Sequence, residues 1–165
     1  MHVTVAMRYW PPFTDEVVQE LLAQGIDEAI LLPLYPHYSR TTTGSSVNEW
    51  RRTVKRLNAS QLCWRVIEHY HDHPLYIQAV VERIREALDG IAPEERAAVH
   101  LVFSAHGTPI KLVKAGDPYS VQIRRTYELV VERGRFGLPH HLCFQSKVGP
   151  QRWLEPSLTQ TIKQL

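Results

Sequence analysis

Strand-like and helix-like segments alternate along the chain, and this order constrains the fold more than any other feature. The strand-like segments are rich in apolar residues and mostly unbroken, as in strands covered on both faces. They span residues 2–9, 28–35, 62–69, 98–105 and 140–147. Amphipathic helical patterns follow each of them, and helical crossovers join parallel strands. The sequence therefore predicts an α/β protein built on parallel sheets that are wrapped by helices.

Residues with capping preferences bound the predicted helices. Pro74 and Gly90 bracket one helix, and Asp117 is placed to cap another, which Pro118 opens. Basic residues gather on the helix between the second and third strands, where a solvated face is the favoured interpretation. They are Arg51, Arg52, Lys55 and Arg56.

Composition limits the kinds of partner. The 165 residues include 19 basic and 17 acidic ones, a formal net charge of +2, so neither nucleic acid nor an anionic membrane is favoured. No apolar run reaches the ~18 residues of a membrane span, and no signal peptide is recognisable. Cys63 and Cys143 lie in strand-like segments without a redox or metal spacing. They predict buried thiols in a reducing compartment, and hence a cytoplasmic protein.

Residues able to do chemistry follow the strand-like segments. In open α/β sheets, ligands bind beyond the carboxyl ends of the strands. His106 stands at such an end, and Gly107 after it allows a sharp turn. An imidazole can accept a proton or bind a metal near neutral pH. The residues alone leave open whether His106 is functional or only hydrogen-bonded to a nearby carbonyl.

The other strand ends carry aromatic and cationic residues. Arg8 and Tyr9 end the first strand-like segment, Tyr35 ends the second, and Trp153 follows the last. Such a rim suits a flat, apolar ligand that carries carboxylates. The hydroxyl-rich run at 39–46 is either the entry of a helix or a cradle for an anionic group.

Two histidine clusters leave further alternatives open. His69, His71 and His73 occupy alternate positions, so an extended chain would place them on one side. A metal site is one interpretation, and ordinary loop residues are the other. The pair at 140–141 is open to the same two interpretations.

Three long segments carry a family resemblance. They are LPLYPHYSRTTTGSS (32–46), FSAHGTPIKLVKAGDPY (103–119) and CFQSKVGPQRWLEP (143–156). In this order they resemble the signature segments of ferrochelatases, enzymes that insert ferrous iron into a porphyrin in haem synthesis. The resemblance implies two Rossmann-like, chelatase-type parallel-sheet domains, each represented only in part, with a porphyrin cleft between them. Residues 1–92 would be the second half of the first domain, and residues 93–165 the first half of the second.

The resemblance also implies roles for single residues. His106 matches the catalytic and metal-site histidine of the family. The signature that contains Gln145, Ser146 and Lys147 is expected to be mainly structural. The residues expected to bind the porphyrin are Arg8, Tyr9, Tyr35, Ser39 and Trp153.

The expected substrates are ferrous iron and protoporphyrin IX or coproporphyrin III, with two protons released. No cofactor beyond the Fe²⁺ substrate is expected, an iron–sulfur cluster is not indicated, and peripheral membrane association stays open.

No segment matches the family's N-terminal lip or its C-terminal glutamate. The sequence is therefore interpreted as an internal segment, and whether this segment is active by itself is left open. The alternatives are a porphyrin- or haem-binding chain without turnover, and a chelatase for a sirohydrochlorin-type tetrapyrrole. A nucleotide-binding protein is disfavoured because the glycine-rich phosphate-binding motifs are absent.

Overall fold

The structure, a computed structural model, describes residues 2–165, and these divide into two compact units. The first unit ends at His69 and the second begins at Tyr70. This division differs from the boundary predicted between residues 92 and 93. The difference arises because the helix Pro74–Asp89 packs against the helix Tyr119–Gly134, inside the second unit. The assignment of the chain to halves of two domains stays a prediction.

Two parallel strands and two helices form the first unit. β1 (Glu28–Leu31) pairs in parallel with β2 (Cys63–Val66), which confirms the predicted parallel arrangement. α1 (Thr14–Ala23) precedes β1, and α2 (Thr43–Arg56) crosses from β1 to β2. The basic residues predicted to lie on a solvated face of α2 are exposed. The buried core of this unit consists of Val17, Val18, Leu21, Trp50, Ala59 and Leu62.

The first strand-like segment does not form a strand. Between residues 2 and 9 the structure has only an isolated bridge, in which Met7 pairs with Phe13. Backbone N–H and C=O groups form a ladder only beside another strand. Among the described residues, none supplies such a neighbour. Arg8 and Tyr9 therefore lie in a bent segment, and the prediction that they end a strand is wrong.

The sheet of the first unit is covered on one face only. Exposed and half-buried residues alternate along both β1 and β2, although their apolar runs predicted burial on both faces. Cys63 falls on the exposed side, so the prediction that both thiols are buried is wrong for this residue. Cys143 is buried as predicted.

The second unit is built on the other pair of strands. β3 (Leu101–His106) pairs in parallel with β4 (His140–Gln145), and the register places His106 beside Gln145. α3 (Pro74–Asp89) and α5 (Tyr119–Gly134) pack against each other and against Phe103. The predicted ends of α3 are confirmed, since it begins at the proline and is capped by the following glycine.

Two shorter helices complete the second unit. α4 (Ile110–Lys114), which the sequence did not predict, follows β3, and α6 (Leu158–Gln164) packs beside β4. Ser157 caps α6, because its hydroxyl oxygen accepts the Gln160 amide at 3.2 Å. None of the helices within residues 2–165 has both the length and the apolar character needed to cross a membrane.

Candidate functional site

His106 is the last residue of β3, and its side chain is exposed. The Gly107 amide after it donates to the carbonyl oxygen of Gln145 at 2.8 Å, which extends the ladder with β4 by one bond. A Cβ atom at Gly107 would lie only 2.9 Å from that same oxygen. Glycine is therefore required here for a close approach of two backbones. The strand end holds the main chain of the histidine and leaves its imidazole to solvent.

A later segment returns beside this strand end. The Ile110 amide donates to the Arg152 carbonyl at 2.9 Å, and the Leu154 amide donates to the Thr108 carbonyl at 3.1 Å. Trp153 lies between these two bonds. Its Cε3 atom is 3.4 Å from the position that a Gly107 Cβ would occupy. The structure thus brings the indole predicted to bind the porphyrin next to the strand end that carries the histidine.

The Trp153 side chain is itself held in place. Its indole N–H donates to the Val148 carbonyl oxygen at 3.0 Å. The bond closes the loop that follows β4, in which Gly149 adopts a φ of +71°. An indole bound at its nitrogen and packed over glycine presents the rest of its ring as a fixed apolar surface.

In the first unit, Arg8 and Tyr9 converge on the start of α2. The Arg8 Nε–H donates to the Ser45 hydroxyl oxygen at 3.2 Å, and the Tyr9 hydroxyl lies 3.3 Å from the same oxygen. The Arg8 guanidinium also lies 3.6 Å from a carboxylate oxygen of Glu49 and 4.9 Å from the centre of the Tyr9 ring. A positioned cation thus stands beside an exposed phenol ring. No sequence pattern pointed to Glu49 as a residue of the site.

The hydroxyl-rich run contains the entry of a helix, which was one of its two predicted roles. α2 begins at Thr43 inside the run, and a Cβ at Gly44 would lie 2.9 Å from the Tyr38 hydroxyl. Ser39 is only 1% exposed, and its hydroxyl contacts that of Thr41 at 2.9 Å. This burial argues against its predicted direct contact with a ligand. Tyr35, just before the run, is exposed, so burial does not argue against its predicted contact with the porphyrin.

Comparison with known proteins gives the family. The sequence profile of the family described as Ferrochelatase matches residues 1–165. The chain belongs to the ferrochelatase family. The resemblance of the three signature segments is thereby confirmed.

Individual ferrochelatases are similar to this chain along its length. It is 47% identical over 163 residues to the ferrochelatase of Aquifex aeolicus, covering 99% of this chain and 51% of that protein. It is 45% identical over 160 residues to the ferrochelatase of Geobacter metallireducens, covering 97% of this chain and 49% of that protein. It is 39% identical over 162 residues to the mitochondrial ferrochelatase of Gallus gallus, covering 98% of this chain and 40% of that protein. The chain spans about half the length of curated relatives that it matches.

In this ferrochelatase-family chain, the alternating histidines do not share one environment. His73 is the N-cap of α3, where its Nδ1 accepts the Leu75 amide at 3.3 Å. His71 is buried, and its Nδ1 lies 3.9 Å from a carboxylate oxygen of Asp72. His69 ends the first unit. A capping role accounts for His73, and the metal site predicted from the alternating spacing stays a hypothesis.

The pair at 140–141 makes two separate hydrogen bonds. The His140 Nδ1 lies 2.6 Å from the Tyr127 hydroxyl, on the side of the sheet that faces α5. The His141 Nε2 lies 3.0 Å from the His100 Nδ1. The planes of these two rings differ by 7°, and the ring centroids are 5.3 Å apart. The distance between the centroids exceeds the distance between the two nitrogens by about two ring radii. The rings therefore meet edge to edge, which is the geometry of an N–H···N hydrogen bond and not of a face-to-face stack.

Proposed function

We propose that the protein inserts ferrous iron into a porphyrin, protoporphyrin IX or coproporphyrin III, and releases two protons. The observation that carries this proposal is the family match over residues 1–165, with the signature histidine exposed at a strand end. Carboxyl ends of parallel strands are where α/β proteins bind ligands. Relatives named ferrochelatase support the same activity.

The reaction requires that the metal reach the nitrogens at the centre of a planar macrocycle. Two pyrrole N–H protons must leave, and the nitrogen lone pairs lie in the plane of the ring. Binding that bends one pyrrole out of plane would direct its lone pair towards the incoming cation. Such distortion is produced by contacts with parts of the substrate that do not react.

His106 is proposed as the group that accepts a pyrrole proton and contacts the iron substrate. An imidazole is a general base suited to neutral pH and also a ligand for Fe²⁺. His106 is exposed at the end of β3. Its main chain is fixed by the ladder with β4, so the base is held at a defined place.

Arg8, Tyr9, Tyr35 and Trp153 are proposed to bind the porphyrin. A guanidinium forms strong, charge-assisted hydrogen bonds with carboxylates such as porphyrin propionates. The exposed rings of Tyr9 and Tyr35 and the half-buried ring of Trp153 offer flat apolar surface to the macrocycle. Glu49 beside Arg8 holds the guanidinium before substrate arrives.

A metallation assay distinguishes two other functions from the insertion of iron into a porphyrin. A protein that binds porphyrin or haem without turnover would show binding but no metallation. A chelatase for sirohydrochlorin-type rings would insert cobalt or iron into that ring and leave protoporphyrin unchanged. The match to a family described as Ferrochelatase favours neither of them.

The experiment is anaerobic metallation of protoporphyrin and coproporphyrin by the full natural protein that contains this chain. Wild type is expected to form haem, and His106→Ala is expected to retain less than about a tenth of the kcat, since losing a positioned base costs ~10²-fold or more. The fold should persist because the side chain is exposed. His2→Ala, another exposed histidine, is the control and should keep full activity. Full activity of His106→Ala, or no metallation by wild type, would overturn the proposal.

We further propose a cytoplasmic location, supported by two cysteines that form no disulfide.

A further inference from the structure

One hydroxyl of α2 contacts two neighbouring side chains of the segment before α1. The Arg8 Nε–H donates to the Ser45 hydroxyl oxygen at 3.2 Å, and the Tyr9 hydroxyl lies 3.3 Å from the same oxygen. A serine hydroxyl has two acceptor lone pairs and one proton to donate, so it can bond both groups at once. Ser45 is half-buried in the first turn of α2. It thereby joins two residues that precede it by 37 and 36 positions in the chain.

The bend over residues 8–12 makes this shared contact possible. In a strand, successive side chains point to opposite faces, so Arg8 and Tyr9 could not both reach one serine. The Met7 amide instead donates to the Pro12 carbonyl oxygen at 2.8 Å, which turns the chain back on itself. Both side chains then reach α2, and the Arg8 guanidinium carbon lies 4.9 Å from the centre of the Tyr9 ring.

The bond to Ser45 is the directional contact of the Arg8 guanidinium. The Nη2 atom of Arg8 lies 3.6 Å from a carboxylate oxygen of Glu49, which is the distance of an ion pair and too long for a hydrogen bond. An ion pair attracts the cation without fixing the plane of the guanidinium, whereas the bond from Nε does fix it. The two contacts use Nε and Nη2, and the two N–H groups of Nη1 lie outside them.

We propose that Ser45 is a positioning residue for Arg8 and Tyr9. Its bond to Nε sets the plane of the guanidinium, so a carboxylate of the ligand meets the Nη1 edge with less rotational freedom to be lost on binding. Its contact with the phenol oxygen sets the direction of the exposed Tyr9 ring. Ser45 acts through these two side chains and not by its own contact with the ligand. The inference rests on the proposed binding of a porphyrin by Arg8 and Tyr9, whereas the contact among the three residues does not.

The contact is tested by NMR, as the exchange of the Arg8 Nε–H proton with water in the full natural protein. Ser45→Ala removes only the hydroxyl, and the proton is expected to exchange about threefold to tenfold faster, the effect of one lost hydrogen bond. Alanine favours a helix more than serine does, so the variant should lose no helix stability. Ser46→Ala, at the next and also half-buried position of α2, is the matched control and should leave the exchange unchanged. Equal exchange rates in wild type and Ser45→Ala would overturn the proposal.

Fluorescence titration with protoporphyrin IX measures the consequence for binding. Ser45→Ala should raise the dissociation constant about threefold to tenfold, again the effect of one hydrogen bond. Ser45→Thr keeps a hydroxyl and should bind like wild type, and so should Ser46→Ala. An equal loss of affinity in the two alanine variants, or no rescue by threonine, would contradict the positioning role.

A double-mutant cycle shows whether Ser45 acts through the two side chains that it contacts. A positioning residue loses its effect once the groups that it positions are gone. In protein that carries Arg8→Ala and Tyr9→Phe, adding Ser45→Ala should therefore change the dissociation constant less than about twofold. A threefold to tenfold effect that persists in this background would overturn the proposal, since Ser45 would then act by another route.

The same variants separate this inference from the proposed function. If wild type binds porphyrin but inserts no iron, and Ser45→Ala still weakens binding, the proposed function fails and the positioning role stands. If wild type inserts iron and Ser45→Ala binds porphyrin as tightly as wild type, the positioning role fails and the proposed function stands.

Discussion

The backbone of Gly107 lies so close to that of Gln145 that a Cβ atom would sit 2.9 Å from the Gln145 carbonyl oxygen. This atom belongs to the backbone of β4 and is already bonded to the Gly107 amide, so it cannot turn aside as a flexible side chain could. This close approach of the two backbones limits how far the end of β3 can move relative to β4.

Gly107→Ala is expected to lower the free energy of unfolding by about 1–3 kcal/mol, because the new methyl forces a backbone shift in a packed region. Urea unfolding followed by circular dichroism measures this. Gly90→Ala is the control, since its Cβ would meet nothing nearer than a carbonyl oxygen at 3.5 Å and its φ is −75°. That change should stabilise by about 0.4–1 kcal/mol through the unfolded state. Equal effects at the two glycines would refute the close approach.

Arg8→Ala should impair the interaction of the protein with the porphyrin and not its interaction with iron. We expect the porphyrin KM to rise, or kcat to fall, by about tenfold, as for the loss of a charge-assisted hydrogen bond. The KM for iron should change little. Arg52→Ala is the matched control, because Arg52 pairs with the same Glu49 carboxylate at 3.1 Å but lies on the solvated face. A larger effect on the iron KM than on the porphyrin KM would show that the assignment is wrong.

Tyr76 should make the protein less stable at alkaline pH. Burial raises the pKa of Tyr76, and the neighbouring Tyr70 adds to the increase. As pH rises past ~10, the ordinary tyrosine pKa, the unfolded chain loses this proton first. The unfolded state then binds fewer protons, so the unfolding free energy falls until pH passes the raised pKa.

Tyr76→Phe should therefore reduce the loss of stability between about pH 9 and about pH 11. Urea midpoints at the two pH values measure it, with the exposed Tyr35→Phe as control. Part of the slope should remain, because burial also raises the pKa values of Tyr119 and Tyr127. An unchanged slope in the Tyr76 variant would count against this account.

Leu34→Gln should reduce self-association of the 165-residue chain expressed by itself. Leu34 is 83% exposed, and Ile30 and Leu32 nearby are exposed as well, so they form an apolar stretch of the kind that drives association. Apolar-dye fluorescence and size-exclusion chromatography should both show the decrease, with no loss of melting temperature. Leu75→Gln, on α3 and 74% exposed, is the control and should change them less. If the two variants behave alike, the stretch is not the cause.

The parts of the fold that sequence could predict are those set by local pattern. The helix beginning at Pro74 and the strand ending at His106 follow from capping chemistry and an apolar run. The segment at 2–9 shows the limit, because an apolar run becomes a strand only where another strand lies beside it. Cys63 shows the same limit for burial, since a pattern cannot reveal which face of a strand is covered.

The candidate site also has parts that the sequence could predict and parts that it could not. Motif resemblance located His106 and Trp153, but their proximity depends on a return of the chain that pairs residues 108–110 with 152–154. The contacts of Arg8 with Ser45 and Glu49 join the segment before α1 to half-buried residues of α2. Such long-range pairings carry no local signal.

The return of residues 152–154 to the end of β3 also orders events during synthesis. His106 leaves the ribosome long before Arg152 and Leu154, the residues that bond the turn after it. Until they arrive, the histidine stands at the end of a nascent strand without its neighbours. A reading-frame interruption in the loop after β4 would leave the signature histidine intact in sequence and yet deprive it of the indole and backbone beside it.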